Sequence, residues 1–109
     1  MRYLVTGSEG PGYSSPEEVA EVWEHEILPT FDALMQFEKD GKVVAGGLPV
    51  GDRAFVFIVD ADSNEELDVL LRSLPAWGVL KWQVTPLQSF AGRAVQERKV
   101  VSEIKAARR

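Results

Sequence analysis

His25 is the only histidine in the chain, and histidine is the side-chain type that exchanges a proton near neutrality. Glu21 stands four residues earlier. On a helix that puts a carboxylate one turn back on the same face, where it would favour the charged imidazole and orient the ring. Regular helix spacing also turns His25 away from the apolar series Trp23, Ile27 and Phe31, so a solvated surface position stands beside the catalytic one. Lys81 and Gln83 are the second candidate pair. Two residues apart, they share one face of a strand. A lysine enclosed there loses its water, which favours the neutral amine that a base requires; a charged one would instead anchor an anionic ligand. Arg53 could hold a carboxylate at the mouth of the same space, or simply pair with an acid across subunits. Tyr3, Phe57 and Trp77, with Phe55 and Trp82, could line an apolar pocket, although plain core packing suits Trp82 and one of the phenylalanines as well. Asp32 and Asp52 are further acids whose ordinary use is on a helix face or in a turn.

The elements that must position these groups follow from local signals. Residues 2–6 alternate as a strand. The turn from Gly7 to Ser14 holds three glycines but no following Lys-Ser/Thr pair, and it contains Glu9; it reads as a crossing loop rather than a phosphate cradle. Ser15, Pro16 and Glu18 announce a helix by capping box and first-turn proline. Ala20, Trp23, Ile27, Phe31 and Leu34 give it an apolar face. Pro29 lies inside that series, which predicts a kink over residues 25–28, and Gly41 is the expected stop. A strand over 42–45 is then followed by a flexible Gly-Gly-Leu-Pro connection and a strand over 53–59 that is apolar on both faces. Such a strand is covered on both sides, by helices on one and, in a chain of 109 residues, by a second subunit on the other. Ser63 and Glu66 cap a helix over 64–73 with Leu67, Leu70, Leu71 and Leu74 inward. The last strand is expected over 79–85, with Leu80, Trp82 and Val84 on its apolar face. A terminal helix spans 89–108. Its apolar residues Phe90, Ala94, Val101 and Ile104 are sparse, which suits an arm lying on a neighbour better than one docked on its own domain.

This order is βαββαβ, an α+β ferredoxin-like arrangement: one domain, with a core over 1–87 and an arm over 88–109. From Gly41 to Leu87 the residues Gly41, Gly51, Ala54, Asp60, Ser63-x-Glu65-x-Leu67, Leu71, Leu74-Pro75, Trp77 and Val84-x-x-Leu87 resemble the muconolactone isomerase family. The resemblance implies subunits paired into a dimeric α/β barrel, often in a larger ring with tails embracing neighbours. It also implies a double-bond shift in a butenolide by proton abstraction and return, with no cofactor or metal. Three positions depart from the family pattern. Asp52 stands where the family has a histidine, Gln83 replaces an acid, and Lys81 replaces another with a base. The fold therefore carries over more firmly than the substrate does.

Composition narrows the rest. There is no cysteine, hence no thiol nucleophile, disulfide or thiolate metal site. One histidine leaves only carboxylates for a metal, and Asp60-Ala61-Asp62 with Glu65 and Glu66 reads as strand exit plus helix cap. No apolar run could span a membrane and the first residues lack a signal-peptide core, so the expected location is cytoplasmic. The net charge of -5 divides unevenly: residues 1–92 carry 15 acids against 6 Lys or Arg, and residues 93–109 carry 2 against 6. An acidic body repels phosphates, and no aromatics interleave with the basic tail, which argues against nucleic acid as a partner. The tail instead suits an acidic protein surface, or solvent. The expected function is a cofactor-independent isomerase or cyclase acting by proton transfer on a small carbonyl or lactone compound, in the cavity of a homodimer or larger homo-oligomer. The alternative is a non-catalytic oligomer that binds a small molecule in the same cavity; a cofactor-free monooxygenase is the weaker third reading.

Overall fold

The structure is a computed structural model that describes residues 1–10 and 12–108. Its elements run β1 (Arg2–Ser8), α1 (Pro16–Val22), a π-helical turn (Trp23–Ile27), α2 (Leu28–Lys39), β2 (Val43–Gly47), β3 (Ala54–Asp60), α3 (Asn64–Arg72), β4 (Lys81–Leu87) and α4 (Phe90–Ala107). The sheet is antiparallel throughout, in the order β2-β3-β1-β4. The expected βαββαβ order is present.

Both capping serines do what the sequence asks. Ser15 and Ser63 accept from the backbone N–H of Glu18 and Glu66. The reciprocal half of each box is displaced by one residue, so that Glu18 accepts from the Ser14 N–H and Glu66 from the Asp62 N–H. At the end of α2, Lys42 N–H donates to Phe37 C=O and Gly41 N–H to Glu38 C=O, with Gly41 at φ +78. That pair of bonds needs the left-handed backbone that glycine adopts freely.

Several boundaries differ from expectation: β1 takes in Gly7 and Ser8, which pair with Phe55 and Ala54, and three further differences have a local reason. Where a kink is expected before Pro29, the helix widens into the π turn, with Leu28 N–H donating to Trp23 C=O. This regroups the ladder around the donor that proline lacks. Gly46 and Gly47 belong to β2, because pairing with Phe57 and Val56 uses their backbone groups. Gly46 has no room for a side chain: a Cβ would lie 2.6 Å from that of Phe57. Finally, β4 runs two residues further than expected, through Pro86, which an outer strand tolerates.

Register divides the sheet into two faces. Tyr3, Val5, Phe55, Phe57 and Val59 point under the helices and are buried with Leu67, Leu70, Leu71 and Leu74. Thr30, wholly buried, bolts the layers together: its hydroxyl donates to Glu26 C=O and accepts from the Ala76 N–H, both at 2.8 Å. The other face carries Leu4, Thr6, Ser8, Val56, Ile58, Lys81, Gln83 and Thr85, none of them buried by the described residues. The arm α4 buries none of its residues, and Phe90 at its start is 98% exposed. With that arm the molecule measures 69 × 30 × 23 Å.

Candidate active site

The open sheet face is where strand alternation gathers polar groups. Lys81 pairs with Ser8 and Gln83 with Thr6 across the β1–β4 ladder, so the amine, the amide and two hydroxyls project from the same side. They line a depression of about 430 Å³ bordered by Trp82. The Trp82 indole belongs to the opposite side: it packs against Phe57 and its N–H donates to Trp77 C=O. Gly7 is the neighbour that makes this possible, since a Cβ there would stand 2.6 Å from the Trp82 ring. The site's chemical means are thus one cation or amine, one amide and two hydroxyls, beside the apolar surface of Leu4, Val56 and Ile58.

At the end of the same strands lies an ionic cluster that the sequence did not reveal. Arg53 donates to Gly10 C=O at 2.9 Å and approaches Glu9 Oε2 at 3.6 Å. The Glu9 side chain is only 5% exposed, and Oε2 accepts no hydrogen bond. Burial, with the neighbouring Glu9 carboxylate, pushes the Tyr13 phenol above its ordinary value. Arg53 therefore serves first as a latch that fastens the loop after β1. Glu9 stood in the sequence only as a residue unfit for a phosphate loop, because its burial depends on an arginine 44 positions away.

The remaining candidates are dispersed. His25 lies on the outer surface of the helical layer, 63% exposed, with Nε2 3.7 Å from Glu21 Oε1. The turn-back carboxylate is where helix spacing puts it, but the sheet separates this pair from Lys81. Tyr3 and Phe57 sit under the helices, and the Tyr3 hydroxyl donates to Asn64 at the start of α3. Phe57 also borders a cleft of about 100 Å³ between α2 and β2, with Phe31, Met35 and Leu48. Trp77 occupies a short 3-10 turn before β4 and carries the Arg72 guanidinium 4.7 Å above its ring. Of the candidate pairs, Lys81 and Gln83 stand side by side and line one depression. Among the described residues, no three His, Asp or Glu side chains converge as metal ligands would, and no helix is long and apolar enough to cross a membrane.

The muconolactone delta-isomerase family model matches residues 1–92. The chain belongs to that family. Two solved structures share the fold of this isomerase-family protein. One is muconolactone isomerase, 18% identical with a TM-score of 0.66, covering 82% of this chain and 90% of that one. The other is the 5-chloro-2-hydroxyhydroquinone dehydrochlorinase of Burkholderia phenoliruptrix AC1100, in complex with 2,5-dihydroxybenzoquinone. It is 17% identical with a TM-score of 0.60, over 84% of this chain and 98% of that one. No curated protein matches the chain in sequence. The family match extends through β1 and α1 to Gly92, well beyond the Gly41–Leu87 stretch whose residues carry the resemblance.

Proposed function

We propose that this protein moves a proton within a small carbonyl or lactone compound held on the open sheet face, with Lys81 as base and a second copy closing the space. Family membership supports small-molecule isomerase or lyase chemistry; the position of Lys81, beside Gln83, Thr6 and Ser8 on an uncovered face, carries the assignment to residues. The half-exposed Leu4, Val56 and Ile58 around it are the surface a facing copy would bury. Its closure would strip water from the amine and favour the neutral form. That amine takes the proton next to the carbonyl, and the electron pair shifts into an enolate. The Gln83 amide and the Thr6 hydroxyl can donate to the enolate oxygen. The ammonium then returns its proton at the far carbon of the conjugated system, so that no proton is gained or lost overall.

The test is deuterium exchange and isomerisation of muconolactone and simple butenolides in deuterated buffer, followed by proton NMR. Wild type should exchange. Lys81→Met should lower the rate by about 10²–10⁴-fold, the usual range for loss of a general base, and His25→Ala should leave it unchanged. Exchange that survives in Lys81→Met and vanishes in His25→Ala would move the proton carrier to the helical layer. No exchange by wild type with any of these compounds would discard proton transfer on butenolides in favour of a binding role for the same face.

A further inference from the structure

The open sheet face has a second hollow, at the end opposite Lys81. By register Arg2 lies between Asp60 of β3 and Leu87 of β4, on the side that carries Leu4 and Thr6. Six residues of β1 separate it from Ser8, the partner of Lys81, a span of about 20 Å. Around Arg2 stands a hollow of about 600 Å³ with Ile58, Leu87 and Phe90 as its apolar walls, which is the size of a small-molecule site. The Phe90 ring is 98% exposed there.

The polar rim of this hollow is engaged except at one cation. Asp60 faces the Met1 nitrogen at 3.4 Å. The Gln88 amide is used at both ends, donating to Gln96 and accepting from Arg93. Ser89 accepts from the Gly92 N–H and keeps its own hydroxyl hydrogen to donate. Arg2 forms no ion pair among the described residues, although residues 1–92 hold 15 acids against 6 Lys or Arg. A guanidinium offers two parallel N–H donors in the geometry that a carboxylate accepts.

We infer that this hollow binds an arylalkyl monocarboxylate, with its carboxylate on the Arg2 guanidinium and its ring against Phe90, Ile58 and Leu87. The ligand is an anion because the guanidinium stands beside apolar walls, where a charged partner offsets the water that it gives up. A second copy over Leu4 and Val56 would roof the hollow without filling it. Its own open face brings no free acid to Arg2, since Asp60 is the one acid on that side of β1, β3 and β4 and is already engaged. A small anion supplies the charge that neither face has to give. The site uses neither Lys81 nor Gln83, and it is independent of the proton-transfer reading.

The test is titration of the full-length protein with phenylbutyrate, read by calorimetry and by the methyl NMR signals of Ile58 and Leu87. Wild type should bind it and shift those signals, while the Thr6 methyl beside Gln83 stays in place. Phenylbutyramide, the uncharged match in shape, should bind about tenfold more weakly or worse, and Arg2→Met should weaken phenylbutyrate by the same factor. Phe90→Ser should weaken both compounds, and Lys81→Met should change neither. Arg2 and Phe90 are exposed, so circular dichroism of their variants should match wild type. Equal binding of acid and amide would overturn the inference, as would equal binding of the acid by Arg2→Met or no binding by wild type. Binding lost in Lys81→Met would overturn it by moving the anion to the other hollow. A Phe90→Ser variant that binds normally but falls in solution mass would overturn it in favour of a second copy on that ring.

Discussion

Thr30 offers the sharpest check on how the layers are held. Its hydroxyl is wholly buried and stands between Glu26 C=O and the Ala76 N–H. Thr30→Val keeps the shape and removes the oxygen. The Ala76 N–H, in a residue with no exposed surface, then has no acceptor, and an orphaned buried donor costs about 1–3 kcal/mol. Full burial of both residues puts the cost at the upper end of that range, and the added methyl offsets about 0.8 kcal/mol of it, leaving about 2 kcal/mol. Thr30→Ser keeps the oxygen and loses one methyl, worth about 1 kcal/mol with its small cavity. The valine variant should therefore be the less stable of the two, although it is the closer match in volume. Urea unfolding at fixed protein concentration reads this directly. With a slope of about 2 kcal/mol per molar urea, the valine midpoint should fall by about 1 M and the serine midpoint by about half as much. A valine variant as stable as serine or wild type would show that Thr30 is held by packing and that the bond to Ala76 contributes little.

Gly46→Ala should be destabilising, since its Cβ meets Val56 C=O at 2.7 Å as well as the Phe57 Cβ, whereas Gly47→Ala meets nothing within 4 Å and should be neutral or gain about 0.5 kcal/mol; thermal melts of the pair decide it. Arg53→Met should cost more stability than Glu9→Gln, because the first strands a carboxylate that is 5% exposed while the second removes its charge; the penalty is moderated by the half-exposed guanidinium. Bonds from Ser14 lower the Glu18 carboxyl below its ordinary value. A lowered folded-state value means stabilisation that is present above the ordinary glutamate range and lost as pH falls from there through the lowered value. The stability gap between wild type and Glu18→Gln should thus be open at neutral pH and close in acid, as denaturation at a series of pH values would reveal.

What was legible in the sequence was local chemistry. Ser15, Ser63 and Gly41 each signal an end of a helix through bonds to residues within a few positions, and each is found in that role. The leucines of α3 repeat at helical spacing and are buried as expected. What escaped depended on distant partners. Pro29 signals a disturbance, but not that the helix would widen while Thr30 reached across to Ala76. Tyr3 looks like a pocket residue until register pairs it with Val59 and Pro86, which puts it on the covered side. Lys81 and Gln83 were legible as a pair because strand alternation is local; that they stand alone with Thr6 and Ser8, without His25, needed the ladder.

The π turn also sets a phase. A π turn is one residue longer than the α-helical turn it replaces, and one residue is about 100° of rotation on an α-helix. Everything before Trp23 is therefore dialled by that angle relative to α2, whose Phe31 and Leu34 pack toward the sheet. Deleting a single residue within Trp23–Ile27 would leave a continuous helix of ordinary pitch and swing Glu17, Glu18 and Glu21 of α1 by more than a quarter-turn. A change of length here would be read out at the surface, so the length of this one turn, more than the identity of its residues, fixes which side of α1 the protein presents.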